Sequence, residues 1–222
     1  MPEMDDARAQ LRRLCDGGFE WHMDASRFDF DRSRARRSGV LVLFGRLDAV
    51  PASASGIVAR DLDVLLQRRA ATMGHHPGQI SFPGGGVEEQ DADVTATALR
   101  EAVEETGLDP AGVEILGTLP ELPLAVSHNL VTPVPAWWTR PSDVAAIDHR
   151  EAVDVFRLPV ADLLDPKNRR SVVHRIEGRT FTTPAFQVGK RLVWGFTAIV
   201  LSNMFDALGW AVPWDESRTV TP

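Results

Sequence analysis

Apolar residues are unevenly spread along this chain. Residues 4–14 are charged and helix-favouring, and Gly17-Gly18 stop them; residues 24–37 are polar, rich in Arg and Asp, and read as irregular. From Gly39 the pattern changes to short apolar runs with polar breaks. Val40-Leu41-Val42-Leu43-Phe44 is an unbroken run of β-type residues, and Leu62–Leu66 is a second. The Ala-, Ser- and Pro-rich stretch at 49–56 lets the two pair as a hairpin. A clear helix is predicted over 93–106, with Gly107 and Pro110 as its stop signals. Strands follow at 113–119, 130–138 and 153–158, then a short helix at 160–164. A hairpin is expected from 172–176 and 180–186 around Glu177-Gly178, and a last helix at 196–208 carries Ile199, Val200, Met204 and Leu208. Residues 212–222 read as a poorly ordered tail. Strands outnumber helices, which predicts an α+β fold or an α/β/α sandwich. The division expected is a helix and irregular extension at 1–38, one domain at 39–210 and a tail at 211–222.

Composition narrows the function classes. Charged residues make up 25% and hydrophobic ones 44%, the ordinary globular mixture, so a core can form without disulfides or a structural metal. Thirty-one acids against 24 Lys and Arg give a net charge of −7, which argues against a general nucleic-acid binder. A local basic patch for one small anion is still compatible. Cys15 is the single cysteine, which excludes an internal disulfide or a multi-cysteine zinc site, and it reads as a small, partly buried apolar residue. No stretch is long and apolar enough to span a membrane, and the first 16 residues lack an apolar signal core, so a cytoplasmic setting is expected. A homodimer is left open.

The chemistry concentrates between Gly84 and Gly107. In Arg100-Glu101-Ala102-Val103-Glu104-Glu105-Thr106-Gly107, three carboxylates occupy i, i+3 and i+4 of the predicted helix. At ~100° per residue they fall within about 100° of arc and share one face, with Leu99, Ala102 and Val103 opposite. Like charges so spaced repel, and a divalent cation removes that penalty; hard oxygen donors suit Mg²⁺ or Mn²⁺ rather than zinc. A glycine loop precedes the helix, where backbone N–H groups can approach phosphate, and Arg100 can pair with one of the acids.

Gly85, Asp91 and Arg100-Glu101-Ala102-Val103-Glu104-Glu105-Thr106-Gly107-Leu108 together resemble the signature box of the Nudix hydrolases. Asp91 stands where the box usually has Glu, with eight residues rather than seven before Arg100. Both departures are shared by a subfamily, the coenzyme A pyrophosphatases. Leu65-Leu66-Gln67-Arg68-Arg69-Ala70 and Gly78-Gln79-Ile80-Ser81-Phe82-Pro83-Gly84-Gly85 resemble the extended signature of that subfamily, with Glu88 and Asp91 at its acid positions. Weaker likeness continues to about residue 208. The resemblance implies a mixed sheet between helices, and metal-dependent hydrolysis of a diphosphate that links a nucleoside to another group. It implies that Glu104 and Glu105 are the core metal ligands and that Glu101 is a ligand or the base. The implied substrate is coenzyme A, with NADH or ADP-ribose as alternatives, and a binding module without turnover as the third reading.

Other residues are weighed separately. Glu151 is a candidate for a further downstream ligand. Arg68 and Arg69 alternate on a strand, so at most one faces a substrate phosphate. His75 and His76 are candidates for the same role. Trp137 and Trp138 read as core rather than as a stacking surface for adenine.

Overall fold

The computed structural model of the chain describes residues 6–22, 30–51, 54, 56–71, 77–124, 127–176 and 178–222. The apolar run at 40–44 lies within a longer strand, β1 (Arg36–Arg46), whose stretch from Leu41 to Phe44 is buried on both faces. Val42 and Phe44 point into one core, while Leu41 and Leu43 point into another. A strand buried on both sides has no solvent-facing positions, so its sequence reads as continuous rather than alternating.

Strand β2 (Leu62–Arg69) pairs antiparallel with β1, Phe44 opposite Val64, which is the hairpin expected across the 49–56 loop. On the other side β7 (Asn129–Trp138) runs parallel to β1 from Arg36↔Asn129 to Phe44↔Trp137. Antiparallel neighbours complete the sheet: β8 (Ala152–Pro159) and β3 (Ile80–Ser81) on β2, β4 (Gly84–Gly86) on β1, and β5 (Val113–Ile115) and β6 (Leu122–Leu124) on β7. Among the described residues this makes a mixed sheet of eight strands.

Helix α2 (Val94–Thr106) lies on one face, with Ala98 and Ala102 packed against Leu41, Leu43 and Leu65. It comes close at Gly39, where an added Cβ would sit 2.7 Å from the Val94 carbonyl oxygen. Helices α1 (Ala7–Asp16) and α4 (Gly195–Ala207) cover the opposite face through Ala7, Leu11, Val200, Leu201, Met204 and Phe205. The result is an α/β/α sandwich around a mixed sheet, as expected. Helix α3 (Val160–Leu164) is one short turn beside β2. No helix among the described residues is long and apolar enough to cross a membrane.

A second, smaller sheet holds β9 (Arg169–Ile176), β10 (Arg179–Val188) and β11 (Arg191–Val193), antiparallel in that order. Here the tail departs from expectation. Residues Thr219–Val220 form β12, which runs parallel to β9 at Ser171 and Val172. The Arg169 guanidinium lies over Trp214 at 4.7 Å and over Phe186 at 4.6 Å. A desolvated cation between two rings holds the tail to the body. Two further expectations change. The strand expected over 113–119 ends at Ile115; Leu116 and Leu119 continue along β7 only through single bonds to the Pro135 and Pro133 carbonyls. Trp137 and Trp138 are core, as read. Cys15 is half-buried as read, its thiol pushed up to about 11 by burial.

Candidate active site

Asp93 caps α2, its carboxylate accepting from the Thr95 and Ala96 amides. Gly107 ends the helix in the left-handed region (φ 69°), with its N–H bonded to the Val103 carbonyl. These caps set the phase of the helix, and with it the positions of Glu101, Glu104 and Glu105. The three carboxylates leave one side of the helix, yet they meet three environments. Glu105 is buried, and its Oε2 accepts from Gln67 Nε2 at 2.7 Å and from the Gly84 amide at 2.8 Å. The Glu101 side chain is 16% exposed and that of Glu104 58%. The acidic face expected from periodicity is therefore graded: Glu105 lies about 100° round the helix from Glu104, towards buried Ala102 and the sheet.

Arg100 organises the acids. Its Nε and Nη2 make a two-pronged pair with Asp91 at 2.9 and 3.0 Å. Its Nη1 donates to Glu101 at 3.0 Å and to Glu104 at 3.1 Å, and Nη2 also donates to the Gly86 carbonyl. Every N–H of the guanidinium is therefore engaged, so its plane is fixed. The Asp91 carboxylate is held far below its usual range by Arg100, with help from the Glu88 amide and the Thr97 hydroxyl. Asp91 is the anchor of Arg100 and was read only as a box position, not as a site residue. Asp91→Asn is expected to lower kcat by roughly 10- to 100-fold by loosening Arg100, as removal of an orienting partner typically does. Steady-state kinetics beside a circular-dichroism check of the fold tests it; unchanged kcat counts against the anchoring role.

The glycine strand β4 faces these acids. An added Cβ at Gly85 would lie 2.4 Å from the Glu101 carboxyl carbon, and one at Gly84 (φ 155°) would lie 2.4 Å from the Gly39 carbonyl oxygen. So Glu105 bonds Gly84 while Glu101 rests against Gly85, and two carboxylates line consecutive residues of one strand.

Burial disfavours charge on both. It pushes the Glu105 carboxyl up to about 7 against the lowering influence of Gly84, Gln67 and Arg69, and Glu101 adds repulsion. Glu101 is also raised, chiefly by burial, with Glu104 and Glu151 contributing. Among the described residues no three acidic, His or Cys side chains are already drawn together as a cation cage. The donor set nevertheless fits a hard divalent cation: Glu105 Oε1 makes no hydrogen bond among the described residues, and an added positive charge would offset the cost of both buried carboxylates. A linkage follows for the metal-free protein. Because the folded-state value of Glu105 lies above the ~4.3 of an unfolded Glu, the fold holds a proton that the unfolded chain releases. This favours the fold at low pH and is lost as pH rises from about 4.5 to 7, by roughly 2–4 kcal/mol. Glu105→Gln removes that slope. Thermal melts of both proteins at pH 5 and 7.5 with chelator present should diverge, and parallel curves would count against it.

A cavity of about 840 Å³ opens beside the glycine strand. Its floor is Arg36, Ser38 and Val40 of β1 with Asn129 and Val131 of β7; its opposite wall is His174, Phe181 and Thr183 of the second sheet, with Trp194 and Phe196 at the start of α4. Arg69 lines it and Arg68 does not. The Nε of Arg69 is buried without a hydrogen-bond partner. His75 and His76 lie outside the described residues. Glu151 is exposed, its carbonyl accepts from the Ala70 amide, and its charge reaches Glu101. Sequence reasoning also passed over Gln67, which sits inside the Leu65–Ala70 motif, and the wall supplied by the second sheet, for which no motif gave a signal.

Residues 50–176 match the family described as NUDIX domain. Nudix hydrolase NudL from Enterobacter sp. (strain 638) is 34% identical over 147 residues, spanning 66% of this chain and 75% of its own length. Human mitochondrial coenzyme A diphosphatase NUDT8 is 37% identical over 165 residues, spanning 70% of this chain and 69% of its own. Nudix hydrolase 15, mitochondrial, of Arabidopsis thaliana is 31% identical over 201 residues, 83% of this chain and 62% of its own length.

Proposed function

Since this chain belongs to the Nudix hydrolase family and is an enzyme of that kind, we propose that it hydrolyses the diphosphate linkage of coenzyme A or its derivatives. The products would be adenosine 3′,5′-bisphosphate and 4′-phosphopantetheine. The observation that carries this reading is the pairing of Glu101 and Glu105 with Gly85 and Gly84 at the edge of a cavity large enough for a nucleotide conjugate. The likeness to a coenzyme A diphosphatase at 37% identity supports the choice of substrate.

Nudix hydrolases generally use divalent metal ions. In this reading Glu101, Glu104 and Glu105 hold Mg²⁺ or Mn²⁺. When bound, such a cation supplies neutralisation of the diphosphate charge and promotes ionisation of water. The rest belongs to the chain's own groups. Arg100 is a positioning residue that keeps Glu101 and Glu104 in register. Gly84 and Gly85 leave room for the close approach of β1 and of the Glu101 carboxylate. Arg69, which lines the cavity, offers a charge-assisted bond to a phosphate oxygen. Cytoplasmic action is part of the proposal.

The test is turnover with added Mg²⁺ or Mn²⁺ on coenzyme A, NADH, ADP-ribose and nucleoside triphosphates side by side, with mass spectrometry of the products. Coenzyme A is expected to give the highest kcat/KM and the two products named. A higher value for NADH or ADP-ribose overturns the substrate assignment, and binding without turnover of any of them overturns the catalytic one.

A further inference from the structure

Four arginines lead into β1, at positions 32, 34, 36 and 37. Arg32 and Arg37 both pair with Glu121, at 3.6 and 3.9 Å, and Arg34 pairs with Asp31 at 3.6 Å. The side chain of Arg36 turns the other way. It shares a face of β1 with Ser38 and Val40, all three lining the cavity, and among the described residues its guanidinium has no acidic partner. In a chain of net charge −7, an unpaired cation on a cavity wall is a local reversal of field that favours an anion there.

Its distance from the carboxylates is set by the strand. Gly39 is the rung partner of Gly85, against which Glu101 rests. Arg36 stands three residues before Gly39, so at ~3.3 Å per residue its Cα lies roughly 10 Å along β1, with its side chain on the cavity face shared with Ser38 and Val40 rather than on the α2 face. Arg69 lines the same cavity and acts electrostatically on Glu105. The cavity therefore presents two cations, one beside the carboxylates and one displaced along β1.

We infer that Arg36 receives a second phosphoryl group of the substrate, separate from the diphosphate that is cleaved, and so selects for nucleoside conjugates phosphorylated on the ribose. This rests on the coenzyme A reading, in which the 3′-phosphate is that group. Arg68 lies outside the cavity, which leaves Arg36 as the cation placed for it.

The experiment has two arms, run on wild type, Arg36→Gln and Arg36→Lys. The first compares kcat/KM for coenzyme A and dephospho-coenzyme A. The second compares calorimetric binding of adenosine 3′,5′-bisphosphate and adenosine 5′-monophosphate. Wild type should favour the 3′-phosphorylated member of each pair by roughly 10- to 100-fold, as expected for one charge-assisted bond. Arg36→Gln should reduce that preference to a few-fold, mainly through KM, and Arg36→Lys should keep part of it. Arg36 is exposed, so equal thermal midpoints are expected and exclude misfolding. A preference unchanged in Arg36→Gln overturns the inference, as does a wild type with no preference in either arm. Loss of bisphosphate selectivity in the variant, with no cleavage of either coenzyme by wild type, overturns the coenzyme A reading and sustains the role of Arg36.

Discussion

Glu105→Gln is expected to lower kcat by roughly 10²-fold or more while the fold persists. The amide can keep the bond from the Gly84 N–H, since its oxygen still accepts, and it fills the same buried space between Gln67 and the glycine strand. It cannot supply negative charge to a cation. Glu104→Gln, at an exposed position, should cost less in stability and still weaken metal binding. The double variant should be nearly inactive. Titration of Mn²⁺ by calorimetry separates the effect on binding from that on rate. Full turnover of the double variant at saturating Mg²⁺ would falsify the assignment of these residues.

Gly85→Val should be almost as damaging, and by a different route. Its Cβ would overlap the Glu101 carboxyl group, at 2.4 Å, so the carboxylate must leave its place between Arg100 and the strand. A displacement of about 1 Å in a reacting geometry costs on the order of 10²-fold in rate. Gly56→Val is the control. Gly56 has φ 67° with nothing within 4 Å of an added Cβ, so that change strains the backbone by about 1–2 kcal/mol without touching an acid. It should lower the melting temperature and leave kcat near wild type. Equal losses of kcat at the two glycines would remove the case for β4 as a surface shaped for the carboxylates and the diphosphate.

How far the sequence carries depends on whether a feature is local. The α2 helix was legible because its cap, period and stop glycine lie within the segment itself, and its carboxylate spacing follows from the same period. The β1–β2 hairpin was legible because its two runs flank one loop. What the period could not give was which edge of the acidic face meets the sheet: packing of Ala98 and Ala102 on Leu41 and Leu65 turns Glu105 inward and leaves Glu104 exposed. The anchoring of Arg100 by Asp91 was hidden for a related reason, because the loop between them folds back by an amount that spacing does not fix. The cavity wall from β9 and β10 comes from more than 80 residues beyond Gly86 in the chain, and no local pattern marks His174 or Phe181 as its neighbours.

The tail strand β12 has a meaning apart from the site. It occupies the outer side of β9, where the Ser171 amide donates to the Arg218 carbonyl and Thr219 and Val220 take the next rungs. A bare sheet margin is a template on which a strand of another molecule can add, and proteins guard against this with charges, bulges or a covering segment. The last residues supply such a cover here, fastened by Trp214 on Arg169. Trimming them would uncover the margin of the small sheet at Ser171 and Val172, so the segment that reads as a loose tail in the sequence is a structural part of that sheet.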